Sequence, residues 1–180
     1  MEYIRVKKFI IIYFFIALLT DCVLANDYKY ILHDSCINAL YNPAVICFKN
    51  TDISVVRTPQ GIILTFELIN PEQEFYCLSE NMIEKMSKIE YFLAKIKNPV
   101  IIEVHIEDPF PNRPYGLKNW EVSTVIANNV EKEFRRSDKN IRDRLHSVGY
   151  GEFLPKNTSN NGGKLLNRID IIILCKISGE

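Results

Sequence analysis

The feature that most restricts the fold is an apolar segment at residues 169–177, which reads IDIIILCKI. A run this rich in β-branched residues is typical of a strand buried on both faces, in the middle of a sheet. Such a strand needs other strands on both sides, and its sheet needs a second layer that covers the apolar face. The rest of the chain must therefore supply both.

Strand and helix patterns alternate from Ile53 onward. One helix is predicted to begin after Ser79 and to end at 98–99, because apolar residues recur at steps of three and four and form its core side: Ile83, Met86, Ile89, Leu93 and Ile96. Another is predicted to begin at Asn119 as its N-cap, with a core stripe of Val122, Ile126, Val130 and Phe134. Four further β-branched runs predict strands, at residues 53–56, 62–66, 100–106 and 145–148. The order β-β-α-β-α-β-loop-β predicts an α/β fold, a two-layer sandwich of a mixed sheet with helices on one face.

The N-terminus has the pattern of an export signal. Residues 1–8 carry three positive charges, and the apolar run that follows is eleven residues long, Phe9 to Leu19. A bilayer-spanning helix needs about 20 residues, so this run fits the hydrophobic region of a signal peptide. Three outcomes remain open: cleavage after Ala25, a lipoprotein signal that ends before a lipid-modified Cys22, or an uncleaved anchor. All three put the body of the protein outside the cytoplasm, and we expect a periplasmic protein associated with the outer membrane.

This gives three parts: a signal at residues 1–25, an N-terminal extension at 26–52, and one domain at 53–180. Four cysteines follow Cys22, at positions 36, 47, 77 and 175. An oxidising compartment permits disulfides, and the short separation favours a Cys36–Cys47 pair. Four buried free thiols are the alternative. The chain has no CxxC pair, and no metal site is expected.

Charge and motifs exclude several function classes. Lys and Arg total 22, as do Asp and Glu, so the formal net charge is zero and no nucleic-acid partner is expected. Gly-rich nucleotide-binding motifs, a nucleophile elbow and a zinc-protease motif are all missing from the sequence. We therefore expect no catalytic residues and no cofactor.

Five segments, taken in order, carry a family resemblance. They read QGIILTF at 60–66, IEVHIE at 102–107, NWEVSTVIA at 119–127, RLHSVGYGEFLP at 144–155 and LNRIDI at 166–171. Over residues 53–178 the chain resembles the OmpA-like domain family, and most of all its MotB-type version. That family has an opening strand at the first of these places, followed by the patterns xEGHTD, NWELSTARA, RLxxxGYGExxP and NRRVEI.

The resemblance implies non-covalent binding of peptidoglycan. In the family, an Asp and an Arg hold the diaminopimelate group, whose ammonium and carboxylate match these side chains with charge-assisted hydrogen bonds. Here the Asp position holds Glu107, but the Arg position holds Ile126. In the last motif Leu166 and Asn167 replace Asn and Arg, and Arg168 is kept. Because isoleucine cannot pair with the ligand carboxylate, the missing arginine removes on the order of 1.5–3 kcal/mol of ligand-binding free energy.

Two interpretations follow. In the favoured one the ligand pocket is degenerate, Ile126 and Leu166 are core or interface residues, and the protein is a non-catalytic structural component of an envelope complex, such as a Dot/Icm-type type IV secretion system. Its partners are then protein subunits and, through a lipid anchor, the outer membrane. In the alternative the protein tethers the outer membrane or a machine to the cell wall by weakened peptidoglycan binding. The candidate ligand-binding residues are then Glu107, Asp108, Asn119 and Arg168.

Overall fold

A five-stranded mixed sheet organises the chain. The structure is a computed structural model, and it describes residues 34–106, 116–137, 139–153 and 167–175. The strands are β1 (Ser54–Thr58), β2 (Gly61–Glu67), β3 (Val100–His105), β4 (Leu145–Gly151) and β5 (Arg168–Leu174). Their spatial order is β1-β2-β5-β3-β4, and all neighbours are antiparallel except β3 and β4. The predicted α/β fold with a mixed sheet is confirmed.

The central strand is β5, as its apolar sequence predicts. It pairs with β2 on one side and with β3 on the other. Its odd-numbered isoleucines are fully buried on one face of the sheet, whereas Arg168 and Asp170 alternate with them on the other. We call the first the helix-covered face and the second the opposite face.

Five helices accompany the sheet within the described residues. They are α1 (residues 34–48), α2 (Pro71–Tyr76), α3 (Glu80–Leu93), α4 (Asn119–Ser137) and α5 (Lys139–Arg142). The Ser79 side chain accepts a hydrogen bond from the Met82 N–H and caps α3, as predicted. The buried stripe of α3 includes Met86 and Ile89, but Ile83, expected in the core, is 39 % exposed. The helix also ends at Leu93, several residues before the predicted stop.

The long helix α4 packs on β3 and β4. Its predicted core stripe is confirmed, since Val122, Ile126, Val130 and Phe134 are all buried. The predicted N-cap is wrong, because Asn119 is the first residue of the helix. The N-terminus of α4 is capped in another way. The Glu121 carboxylate accepts a hydrogen bond from the Lys118 backbone N–H at 2.8 Å, a donor that has no partner within the helix.

The segment before residue 53 contributes to the same core. Helix α1 buries Ile37, Leu40, Ala44 and Phe48 within the single hydrophobic cluster that also contains the sheet. The Phe48 ring meets Phe92 of α3 edge to face, with 5.7 Å between centroids. The core therefore extends N-terminal to the domain boundary that the sequence suggests.

The disulfide is not the predicted one. Cys36 of α1 is bonded to Cys175, directly after β5, and Cys47 and Cys77 are exposed free thiols. Cys36 and Cys47 lie on the same helix, eleven residues apart, so their Cα atoms are separated by about 16 Å. A disulfide needs Cα atoms within about 7 Å, which excludes that pair. The alternative of four buried thiols is wrong as well.

The predicted signal at residues 1–25, with Cys22, lies outside the described residues. In the part of the chain that the structure describes, no helix is both long and apolar enough to cross a bilayer.

Candidate functional site

Two glycines of β4 allow α4 to approach the sheet closely. A Cβ atom at Gly149 would lie 2.1 Å from the backbone N of Thr124, and one at Gly151 would lie 2.5 Å from that of Trp120. Gly151 also has a φ of 55°, a conformation that favours glycine. The N–H of Gly151 donates to the Ser123 hydroxyl at 2.9 Å. The GYG part of the family pattern therefore seats the first turns of α4 on β4.

Ile126 lies one to two turns further along α4 and is fully buried. This is the position at which the family resemblance implies an arginine. The side chain belongs to the core stripe of the helix and packs in the hydrophobic cluster. It has no polar atom that could bind a ligand carboxylate.

Two of the candidate ligand-binding residues lie near the C-terminal end of β3. Asn119 donates from its side-chain Nδ2 to the carbonyl of Ile106 at 3.0 Å. Arg168 lies opposite His105 in the β3–β5 pairing. Within the described residues, no hydrogen bond connects the two side chains into a joint site. Glu107 and Asp108 themselves lie outside the described residues.

Arg168 is held in an internal ion pair. Its Nε donates to Oδ2 of Asp170 at 2.9 Å, and both side chains are less than a tenth exposed. The other carboxylate oxygen of Asp170 accepts the Thr65 hydroxyl at 2.6 Å. Removing Arg168 from this pair would leave a buried carboxylate without its countercharge, so the guanidinium serves the protein's interior.

Asp170 also belongs to a second group of side chains on the opposite face. We call this group the polar cluster, and its members are Glu103, His105 and Asp170. The His105 Nε2 atom is 3.4 Å from Oε2 of Glu103 and 3.6 Å from Oδ2 of Asp170. His105 is 1 % exposed. Within the described ranges, neither of its ring nitrogens has a hydrogen-bond partner. An orphaned buried group of this kind normally marks a missing partner.

Tyr150 of β4 closes the polar cluster. Its ring stacks on the His105 imidazole, with centroids 5.3 Å apart and planes 9° apart. Burial raises the pKa of the Tyr150 hydroxyl, and the Glu103 carboxylate raises it further by its charge and by accepting a hydrogen bond. Glu103 is thereby oriented from one side by Tyr150.

The meeting of His105 with Asp170 was not predicted from the sequence. The available signal was alternation by two, which places Glu103 and His105 on one face of β3, and Arg168 and Asp170 on one face of β5. Their meeting also requires the β3–β5 register, in which Glu103 lies opposite Asp170. A single sequence does not contain that register.

The sequence matches no protein-family model, and it matches no curated protein significantly. Solved structures do match. A MotB-like protein from Desulfovibrio vulgaris superposes with a TM-score of 0.64 at 21 % identity, covering 83 % of this chain and 98 % of that one. The cell wall anchor of the T6SS from Pseudomonas aeruginosa gives 0.57 at 16 % identity, with 77 % and 96 % covered.

The periplasmic domain of Helicobacter pylori MotB also gives a TM-score of 0.57 at 16 % identity, covering 69 % of this chain and 82 % of that one. At such low identity these three likenesses establish the fold alone, because one fold can host many functions. The chain has the OmpA/MotB-like fold, as the sequence motifs predicted.

Proposed function

From the fold shared with MotB-like periplasmic domains, we propose that this protein is a non-catalytic structural component of a bacterial envelope complex, in which the peptidoglycan clamp of the OmpA-like family is degenerate. The complete burial of Ile126 carries the proposal. A ligand carboxylate placed against this side chain would lose its water and gain no hydrogen bond, at a cost of about 1–3 kcal/mol.

The state of Arg168 supports the same conclusion. A rearranged peptidoglycan site would need another guanidinium for the ligand carboxylate, and Arg168 is the candidate at the end of β3. Its Nε is bonded to Asp170 in a buried pair. A ligand carboxylate that drew Arg168 away from Asp170 would leave that buried carboxylate without its countercharge, which typically costs about 3–5 kcal/mol. Weak or no binding of peptidoglycan is therefore expected.

The described residues also lack the nucleophile–base pair that covalent hydrolysis uses. Among the described residues, no serine, threonine or cysteine side chain is hydrogen-bonded to a histidine, so no nucleophile–base pair is formed there. His105, the buried histidine, is enclosed by two carboxylates and Tyr150. This supports a binding or structural role rather than catalysis.

Location and partners are proposed on separate grounds. The signal-like residues 1–25 support export to the periplasm, and Cys22 supports a lipid anchor in the outer membrane. One protein with this fold is described as the cell wall anchor of a secretion system. We place the present protein in an envelope machine of that general kind, a Dot/Icm-type type IV secretion system being one candidate, where protein subunits are its main partners.

Sedimentation with purified peptidoglycan sacculi tests the state of the clamp. The sample is the full processed protein with its disulfide intact, as wild type and as Glu107→Ala. The exposed Glu80→Ala variant serves as a matched control. We expect wild type and both variants to stay in the supernatant. Wild type that pellets while Glu107→Ala stays soluble would show a working, rearranged site and would establish the alternative role as a cell-wall anchor.

Two further measurements test the placement. Palmitate labelling of the cell should mark the wild type and not Cys22→Ser if the lipid anchor exists. Mild detergent extraction followed by size-exclusion chromatography should place the protein in a large assembly. A protein found only as an unlabelled monomer would contradict the proposed docking role.

A further inference from the structure

The polar cluster contains a buried histidine, His105, whose Nε2 atom and two neighbouring carboxylate oxygens surround a point at which a cation could bind. Nε2 of His105 faces two carboxylate oxygens, at 3.4 Å from Glu103 and 3.6 Å from Asp170. These separations are too long for good hydrogen bonds. The ring is almost completely buried, and neither of its nitrogens has a hydrogen-bond partner within the described residues. The three ligand-type atoms all lie within 4.8 Å of one another.

The two distances from His105 match the edges of a metal coordination tetrahedron. Zinc binds imidazole nitrogen and carboxylate oxygen at about 2.0–2.2 Å, which separates neighbouring tetrahedral ligands by about 3.3–3.6 Å. One nitrogen and two carboxylate oxygens suit zinc among the common divalent ions, because imidazole is a poor ligand for Mg²⁺ and Ca²⁺. The His105–Glu103 and His105–Asp170 separations lie in this range without any rearrangement.

Each carboxylate is also held in place from behind. Asp170 accepts the Thr65 hydroxyl at 2.6 Å on its Oδ1 atom, which leaves Oδ2 directed at His105. Glu103 accepts a hydrogen bond from Tyr150, whose ring stacks on the imidazole. Such outer contacts orient ligands in metal sites and are worth 10- to 100-fold in affinity. The Glu103 side chain is 18 % exposed, which gives an ion a way in.

Arg168 acts against cation binding and sets its strength. Its Nε donates to the same Oδ2 atom of Asp170 that faces His105. With Arg168 included, the cluster carries a net charge of −1 when His105 is neutral, so a divalent ion is still attracted. We expect weaker binding than in a closed zinc site with four protein ligands. We infer that Glu103, His105 and Asp170 bind one Zn²⁺ ion, which ties β3 to β5 in the centre of the sheet.

Calorimetric titration with Zn²⁺ tests this directly. The sample is the full processed, untagged protein after chelator treatment, with Cys47→Ser and Cys77→Ser to remove the exposed thiols. We expect one ion per chain and a thermal unfolding midpoint that rises with zinc concentration. Co²⁺ in place of zinc should give the intense visible absorption of a tetrahedral site. Absence of stoichiometric binding would overturn the inference.

Variants locate the ion. Glu103→Gln keeps the size and the partner for Tyr150 but removes the ligand charge, and we expect it to weaken zinc binding by more than 100-fold. Thr65→Val should weaken it by about 10- to 100-fold through Asp170 alone. His146→Gln removes an exposed histidine of β4 and should leave binding unchanged. Circular dichroism verifies that each variant is folded. Zinc bound equally by folded Glu103→Gln and wild type would place the ion elsewhere and refute the site.

Discussion

The two faces of the central sheet differ, although the same strands build both. Ile102 and Ile171 of β3 and β5 turn toward the helix-covered face and are fully buried in apolar contacts. The residues beside them, Glu103 and Asp170, turn to the opposite face and join a charged cluster. Ile126 of α4 also packs in the apolar layer, whereas Arg168 joins the charged side chains of the opposite face. One face of the sheet is thus held by apolar packing and the other by ion pairs.

The strongest test of this contrast introduces a charge into the helix-covered face. Ile126→Arg should lose the folded state or at least about 3–5 kcal/mol of unfolding free energy, because its guanidinium would be buried without a partner. The control Ile126→Val should lose only about 1 kcal/mol. Urea unfolding followed by circular dichroism measures both. A stable Ile126→Arg protein would mean that this side chain can reach water, and the position could then still serve a ligand.

The disulfide holds α1 on the helix-covered side. Cys36 and Cys175 are separated by 139 residues in sequence, so their bond restricts the unfolded chain strongly. The double change Cys36→Ser and Cys175→Ser should lower stability by about 4 kcal/mol. Changing the exposed Cys47 and Cys77 to serine should cost less than about 0.5 kcal/mol. Equal thermal midpoints for the two double variants would show that α1 is held by packing alone.

Asp170→Asn tests the charge on the opposite face. The change leaves Arg168 buried without its carboxylate partner, and we expect a loss of about 3 kcal/mol. Asp143→Asn, at a turn before β4, should change stability by less than about 0.5 kcal/mol. Chemical denaturation without added metal compares the two. A neutral effect of Asp170→Asn would mean that the opposite face does not depend on its ion pair.

Gly149→Ala tests the close contact between α4 and β4. The new Cβ would meet the Thr124 backbone, and separating helix from strand should cost about 2 kcal/mol. Gly116→Ala is the control, because it has a φ of 69° but no heavy atom within 4 Å of the added carbon. It should cost about 1 kcal/mol through backbone strain alone. Thermal unfolding of both variants distinguishes the cost of the steric contact from the cost of backbone strain. Equal losses of stability would mean that close packing of α4 on β4 does not require Gly149.

The smallest expected effect concerns a charged contact at the edge of the helix-covered face. Burial raises the pKa of Glu131, but hydrogen bonds from Ser147 and Arg135 and the charge of Arg135 outweigh it, so the pKa lies below its ordinary value of 4.5. A lowered folded-state pKa stabilises the protein above the unfolded-state pKa, and this stability is lost as the pH falls through the folded-state value.

Glu131→Gln should therefore cost about 1 kcal/mol at pH 7 and progressively less below about pH 4.5. Unfolding free energies between pH 7 and pH 3 measure the difference, with Glu80→Gln as an exposed control. A difference between Glu131→Gln and wild type that stays constant over this range would show that the carboxylate charge is not involved.

The parts that sequence predicted best are those with long, consistent patterns. The central position of β5 and the buried stripe of α4 follow directly from their apolar spacing. Helix α1 was missed although Ile37, Leu40, Ala44 and Phe48 have helical spacing, because the exposed Val45 and Ile46 blur its apolar face. The short helix α2 has too few residues to show a period.

The candidate site was predicted less well, for a physical reason. Residues 119–127 and 149–151 were matched to a family pattern, and the structure explains their retention by packing between α4 and β4. The Cys36–Cys175 bond and the meeting of His105 with Asp170 depend on which strands lie side by side. Pairing between segments this far apart leaves no local pattern that one sequence can reveal.

The place of β5 in the sheet also orders the assembly of the molecule. Strand β5 is the last of the described strands, yet it lies between β2 and β3, so the β1–β2 pair and the β3–β4 pair are joined in the sheet only through it. While the chain emerges from its N-terminus, the β1–β2 hairpin and the β3–α4–β4 unit remain two separate halves with unpaired edges. Docking of β5 joins them over a large loop, a slow kind of step. The same step brings Cys175, directly after β5, to Cys36 of α1, so docking of β5 favours formation of the disulfide.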